Sequence, residues 1–335
     1  MGNAPLIAGF DAGQTHTRCR LARLVANGAP QVLAEAEGPG VSHLDAPDGE
    51  QRFGQALAVS LAAARQALEQ HADTGDALAA AAIGASGIEA GSSVQRRGQR
   101  LAAAALDLAP QRVLVTGDER TALEGARGEA RAGILLISGT GCIALGRNAR
   151  GQQHRCGGWG WLLDGAGSAT DIGRDGLALT LQMADGRHQD TPLRQTLWQA
   201  LDLAIDDGAS PQAIKALVVQ PGFGAAGFAR LAPLVHQHAM AGDADALAIV
   251  HKSAVALASM AAAIARQLEL DAPPVWPAGG ALEHLLLLRQ SVAQALAACH
   301  PGAHLVPGAG DGCAGALQLA AELAAELAAE PLRPR

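Results

Sequence analysis

Apolar and polar positions along the chain switch period in a regular way. From Leu6 to Val25 the pattern reads strand–turn–strand, with apolar runs on both sides of Asp11-Ala12-Gly13-Gln14-Thr15. A third strand is expected over Gln31 to Glu37, ending at Gly38-Pro39-Gly40, and a helix from about Gln51 to Gln70. The apolar run Leu78 to Ile83 predicts a buried strand entering Gly84-Ala85-Ser86-Gly87. A helix follows from about Val94 to Leu108, then a short strand, Arg112 to Thr116, that stops at Gly117-Asp118. Strands alternating with helices in this way predict α/β layers.

A second strand–turn–strand begins at Ile134 and reads Leu135-Leu136-Ile137, Ser138-Gly139-Thr140-Gly141, Cys142-Ile143-Ala144-Leu145. The two turns lie about 125 residues apart, a recurrence that suggests a duplicated fold with a small polar loop in each half. Two unrelated hairpins would give the same pattern. Thr191 to Leu268 reads as mostly helical, and Leu247, Val250, Ala254, Leu257, Ala261, Ile264 and Leu268 mark one apolar helix face. A strand then enters Gly279-Gly280, and a helix is expected over Leu282 to Cys299. A last strand, His304 to Val306, leads through Gly308-Ala309-Gly310 to a helix starting near Asp311, and the tail Pro331 to Arg335 is expected to fray.

Composition narrows the class. With 335 residues, 49% hydrophobic and 17% charged, the chain can bury about two domains' worth of core and is not of disordered type. Aromatics make up only 2%, with no Tyr, so the core must be aliphatic and its helices closely packed. A net charge of −7 gives no basic footprint for nucleic acid. Neither lysine, Lys215 or Lys252, stands in a Walker A loop. Cys19, Cys142, Cys156, Cys299 and Cys313 form no CxxC pair, which argues against a zinc or iron–sulfur framework and for a reducing compartment. The N-terminus carries no leader pattern, and the most membrane-like run, Ala254 to Ala265, is about 12 residues against the roughly 20 a span needs. The expectation is a cytoplasmic protein without nucleic-acid or membrane partners.

Candidate chemistry gathers at turns that follow strands. Asp11 to Thr15, Ser138 to Gly141 and Gly279-Gly280 combine glycine with hydroxyl or acidic residues. Glycine allows close backbone approach, consecutive N–H groups form an anion-binding concavity, and a strand-end Asp can hold Mg²⁺, usually through water. Three such turns in one α/β chain point to nucleotide phosphates. Asp118, ending a strand and opening a helix, is either an N-cap or a general base for an attacking hydroxyl. Cys156-Gly157-Gly158-Trp159-Gly160-Trp161 suits neither helix nor strand; exposed backbone beside an aromatic fits a polyhydroxylated ligand such as a sugar, or else a Trp-anchored loop on the core. Cys156 reads as a small buried residue rather than a nucleophile.

Taken together, Gly9-Phe10-Asp11-Ala12-Gly13-Gln14-Thr15-His16-Thr17, Ile137-Ser138-Gly139-Thr140-Gly141, Gly157-Gly158-Trp159-Gly160, Asp171-Ile172-Gly173-Arg174 and Asp311-Gly312-Cys313-Ala314-Gly315-Ala316 resemble the BadF/BadG/BcrA/BcrD ATPase family, in its branch of N-acetylglucosamine and glucosamine kinases. The resemblance runs through nearly the whole chain in order. It implies two RNase H-like domains of the actin/hexokinase/Hsp70 fold, expected at 1–117 and 118–335, with the active site and ATP in the interdomain cleft. The last helix, about 311–328, would pack back on the first domain. Thr15 and Thr140, with Gly13 and Gly139, would meet the ATP phosphates, and Gly279-Gly280 the adenosine. Asp118 would be the base toward the sugar 6-hydroxyl, Gly158 and Trp159 would contact the sugar, and Asp11 would help hold Mg²⁺.

The chain departs from the family at several of these positions. Gln14 replaces the family's Gly, and His16 its Lys or Arg. Ser42 or His43 stands where a sugar-contacting Asn is expected, and Gly-Asp-Glu-Gly-Ser reads Asp164-Gly165-Ala166-Gly167-Ser168. Asp164 then either reaches a sugar hydroxyl by a shifted loop path, caps the helix near Ser168, or faces solvent. Beside the amino-sugar kinase stand two other readings: an ATPase activating a partner enzyme, whose branch carries cluster cysteines in a motif not seen here, and a non-catalytic sugar sensor. The apolar C-terminal helices leave a homodimer open.

Overall fold

The computed structural model describes residues 4–25, 28–69, 77–204 and 208–329. The expected helix end at Gln70 and the tail Pro331 to Arg335 lie outside them. The chain divides into two compact units, Met1–Glu129 with Gly308–Arg335, and Ala130–Pro307.

Unit 1 carries β1 (Leu6–Ala12), β2 (His16–Arg23), β3 (Gln31–Pro39), α1 (Gly49–Glu69), β4 (Leu78–Ala85), α2 (Ser93–Ala105), β5 (Val113–Gly117) and α3 (Asp118–Arg127). Unit 2 carries β6 (Gly133–Ser138), β7 (Cys142–Arg147), β8 (Gln153–Gly157), α4 (Ala169–Ala184), α5 (Pro192–Gln199), α6 (Ser210–Val218), α7 (Gly224–Ala229), α8 (Ala232–Met240), α9 (Ala244–Gln267), β9 (Pro274–Ala278), α10 (Gly280–His284), α11 (Leu286–Cys299) and β10 (His304–Leu305). The chain then returns to unit 1 with α12 (Gly312–Ala329).

The two sheets repeat one topology. Unit 1 runs β3-β2-β1-β4-β5 and unit 2 runs β8-β7-β6-β9-β10. In each, the first three strands are antiparallel neighbours and the last two join in parallel. The recurrence of the two hairpins in the sequence thus reflects a repeated five-stranded sheet.

Small residues set the packing. Strand β4, LAAAAIGA, is almost wholly buried, and α12 lies on it and on β1 at backbone distance. A Cβ on Gly9 would stand 2.7 Å from the Leu317 nitrogen and 2.9 Å from the Cys313 carbonyl. Helices α3 and α12 meet the same way: a Cβ on Gly125 would land on the Asp311 carbonyl, and one on Gly315 on the Thr121 carbonyl. This contact places α3 in unit 1, so the units change over at Glu129 rather than at the expected 117/118.

In unit 2 the predicted apolar face of α9 forms the core, with Val250, Ala254, Leu257, Ala261 and Ile264 all buried. The apolar run read as about 12 residues is part of this 24-residue helix, which by length and composition alone could cross a membrane. Asp243 caps it, accepting from the Asp245 and Ala246 N–H groups. One expected helix is two: Leu285, at φ −93° and ψ 82°, separates α10 from α11. The Leu287 N–H of the new first turn is taken by His236 Nε2 at 3.1 Å, and burial holds that imidazole below its usual pKa, hence neutral and able to accept.

Candidate active site

In unit 1, β1, β4 and β5 are parallel and in register, pairing Ala12 with Ala85 and Ala85 with Gly117. Asp11 to Thr15, Ser86-Gly87 and Asp118 therefore leave the sheet at one edge, beyond its carboxyl ends, where open α/β sheets bind ligands. The Gly13 N–H donates to the His16 carbonyl at 3.1 Å, and the Gly13 carbonyl accepts from Val41 N–H at 2.9 Å. That second bond brings Ser42 and His43 to the same edge. Ser42 Oγ is buried with no hydrogen-bond partner among the described residues. His43 is exposed, its Nδ1 accepting from Asp45 N–H at 3.2 Å, and its ring lies over Gly87, where a Cβ would stand 2.9 Å from His43 Cδ2. The Thr15 side chain is exposed.

Asp11 sits in a charged lattice that spacing alone did not reveal. Arg18 Nη2 donates to Asp11 Oδ2 at 2.9 Å and Arg18 Nη1 to Asp311 Oδ2 at 3.2 Å. Arg20 grips both Asp311 oxygens, at 2.9 and 3.0 Å. Burial alone would raise the Asp311 carboxyl, but the Arg20 bond, the Ala314 N–H and both guanidinium charges hold it below the usual carboxylate range. The signal was present in principle, because the β1–β2 hairpin pairs Asp11 directly with Arg18. Gly312 completes the cradle: a Cβ there would stand 3.0 Å from the Asp11 carboxyl.

Asp118 is not the helix cap. Gly117 occupies that position without a side-chain bond, and Asp118 is the first residue of α3. Burial, and then the negative charges of Glu119 and Asp11, push its pKa up to about 6. A carboxyl tuned close to neutrality is suited to accept a proton at physiological pH.

In unit 2 the corresponding edge gathers three more segments. β6 ends at Ser138, and β9, parallel to it with Ile137 beside Ala278, ends just before Gly279. β8 ends at Gly157, opposite Ile143 at the start of β7. Gly139, Thr140, Gly279, Gly280, Gly158 and Trp159 thus share one sheet edge. Gly279 has φ 87°, and a Cβ on it would press to 2.6 Å from the Ser138 carbonyl, so only glycine lets the two turns nest.

The stretch that fitted neither helix nor strand begins as β8 and then turns on Gly157, Gly158 and Gly160, with φ of 74°, 76° and 89°. Arg155 holds it: its Nη2 donates to the Gly158 carbonyl at 2.7 Å, its Nε to the Gly157 carbonyl at 3.2 Å, and its guanidinium lies 4.8 Å from the centre of the Trp159 ring. The indole is left 61% exposed. Trp161 instead packs toward Phe228.

Asp164 does not cap α4; Ser168 does, accepting from the Asp171 N–H. The Asp164 carboxylate turns toward the Trp loop, with Oδ2 3.7 Å from where a Gly157 Cβ would be. Burial, then the charges of Asp164 and Asp171, push the Cys142 thiol up to about 12, and burial followed by Asp164 raises Cys156. Both thiols stay protonated and neither is a ready nucleophile.

The loop after the Trp pair also grips the Ser138–Gly141 turn. Ser138 Oγ donates to the Gly167 carbonyl at 2.7 Å, the Ala169 N–H to the Gly139 carbonyl at 2.8 Å, and Thr170 Oγ1 to the Thr140 carbonyl at 2.6 Å. None of Ser138, Arg155 and Thr170 carried a sequence signal for these roles, because each acts through a carbonyl brought near by tertiary folding.

Known proteins resemble the chain in sequence and in fold. An N-acetyl-D-glucosamine kinase from Dictyostelium discoideum is 32% identical over 193 residues, 56% of this chain, and the match spans 59% of that relative's length. A crystal structure from Chromobacterium violaceum, assigned as an N-acetylglucosamine kinase, superposes with a TM-score of 0.71 at 30% identity, covering 95% of this chain and 99% of that one. A ROK hexokinase from Thermus thermophilus, at 16% identity and TM-score 0.59 over 96% of this chain and 99% of that one, shares the fold. The two-unit α/β architecture is therefore that of the actin–hexokinase fold. The BadF/BadG/BcrA/BcrD ATPase family matches residues 8–320, nearly the full length, and the chain belongs to that family.

Proposed function

We propose that the chain is an ATP-dependent amino-sugar kinase that moves the γ-phosphate of ATP to the 6-hydroxyl of N-acetylglucosamine or glucosamine. The observation that carries this reading is Asp118: a largely buried carboxyl at a strand end, beside Asp11, with a pKa near 6. The names of the Dictyostelium relative and the Chromobacterium structure support the sugar class. In this reading Asp118 takes the 6-hydroxyl proton as that oxygen bonds to phosphorus, the bond from phosphorus to the ADP oxygen breaks, and the proton then passes to solvent. Gly13, Thr15, Gly139 and Thr140 hold the phosphates, Gly279 and Gly280 the adenosine, and Ser42, His43, Gly158, Trp159 and Asp164 the sugar. The protein works in the cytoplasm.

The donor set fits a Mg²⁺ ion held largely by water and by ATP. The described residues contain no group of three ligating side chains, yet Asp11 offers a carboxylate fixed by Arg18 beside the Asp118 charge. Asp11 would hold the ion, which when bound neutralises charge on the phosphates.

The test is ADP release with Mg-ATP across a panel of hexosamines and hexoses. Turnover that needs N-acetylglucosamine or glucosamine is expected; sugar-independent turnover would overturn the reading in favour of an activating ATPase, and sugar binding without turnover in favour of a sensor. Within the same assay, Asp164→Ala is expected to raise the sugar KM on the order of 10–100-fold with the ATP KM little changed, since a charged hydrogen bond to a ligand hydroxyl contributes roughly 1.5–3 kcal/mol. An unchanged sugar KM would remove Asp164 from the sugar site.

A further inference from the structure

We propose that Thr170 is a positioning residue that turns the Thr140–Gly141 peptide so that its N–H faces the ATP phosphates. The inference rests on the reading of Ser138–Gly141 as the phosphate turn. Two carbonyls of that turn point into the protein, Gly139 to the Ala169 N–H at 2.8 Å and Thr140 to Thr170 Oγ1 at 2.6 Å. In a planar trans peptide the C=O and the N–H that follows it point in opposite directions. Fixing the Gly139 carbonyl inward therefore sends the Thr140 N–H outward, and fixing the Thr140 carbonyl sends the Gly141 N–H outward. Thr140 and Gly141 are exposed, so two consecutive amides face away from α4 as an anion-binding pair.

The first of these two peptides is held by the Ala169 backbone N–H, which every residue but proline supplies. The second is held by one side chain. Thr170 is fully buried, and its hydroxyl reaches a second acceptor, the Ala225 carbonyl of α7, at 3.1 Å. A hydroxyl has one proton to give, and the Thr140 carbonyl is the nearer acceptor. Among the described residues no other side chain bonds the Thr140 carbonyl.

The test compares Thr170→Val, which keeps the branched shape without the donor, with Thr170→Ser, which keeps the donor. Binding of ATP, ADP and adenosine to each full-length chain is measured by titration calorimetry. For the valine variant the dissociation constants of ATP and ADP should rise about tenfold, the loss of roughly one hydrogen bond to a charged group, while that of adenosine stays within about twofold. The serine variant should match wild type for all three. Equal weakening of ATP and adenosine, unchanged ATP binding in the valine variant, or a serine variant as weak as valine would each overturn the role. Thr170→Ala, a second donor-free variant, serves if the valine chain does not fold. A wild-type chain that binds no ATP would instead bring down the kinase reading itself, and this inference with it.

Discussion

Asp118→Asn is expected to abolish most turnover while making the protein more stable at neutral pH. Removing a general base typically lowers kcat by about 10²–10⁴-fold. The stability effect follows from the raised pKa, about 6 in the folded protein against 3.8 for the free side chain. Between those values the folded state binds more protons than the unfolded one, so stability falls as pH rises from about 4 to about 6 and stays lowered above it. A shift of about two pH units corresponds to roughly 3 kcal/mol, and a buried amide with its own hydrogen-bonding needs returns part of that. The asparagine variant should therefore melt higher than wild type at pH 7, by the equivalent of about 1–3 kcal/mol, and the two should converge near pH 4. In wild type the same group should make kcat/KM fall about tenfold per unit below about pH 6. Melting curves at both pH values and a pH–rate profile check all three points. Near-normal kcat in the variant would take Asp118 out of the reaction.

The largest structural effect is expected at Gly315. A Cβ there would land on the Thr121 carbonyl and the Gly125 nitrogen, both backbone atoms of α3, so no side-chain rotation can relieve the clash. Alanine at this position should cost about 3 kcal/mol or more, at or above the upper end of overpacking penalties, and lower the melting temperature of unit 1 by roughly 6–12 °C. Because the start of α12 sets Gly312 and the preceding Asp311 against Asp11 and Arg18, activity should fall with it. Gly222→Ala, where a Cβ meets nothing within 4 Å, is the matched control and should change stability by less than about 0.5 kcal/mol. Equal melting temperatures for the two variants would contradict the close α3–α12 contact.

Those two sites mark what local pattern can and cannot convey. The strands, the two polar turns and the Trp loop were legible because each changes hydrophobic period or concentrates glycine, and both depend on neighbours in sequence. The apolar face of α9 was legible for the same reason. The break at Leu285 was not, since no Gly or Pro marks it and its cap, His236, comes from α8, 51 residues away. Nor was the Arg20–Asp311 pair, 291 residues apart in the chain, which joins β2 to the turn before α12. Asp118 and Asp164 were legible as chemistry but each also allowed a capping role. That alternative fell only when Gly117 and Ser168 proved to hold the cap positions.

In the proposed reaction the γ-phosphate of ATP goes to a sugar hydroxyl and not to water. Phosphorus NMR of the full-length chain with Mg-ATP and N-acetylglucosamine tests it most directly. A new phosphomonoester signal is expected, split by the two protons of the sugar 6-carbon and growing in step with ADP. Inorganic phosphate appearing in step with ADP, at the same rate with and without the sugar, would contradict it.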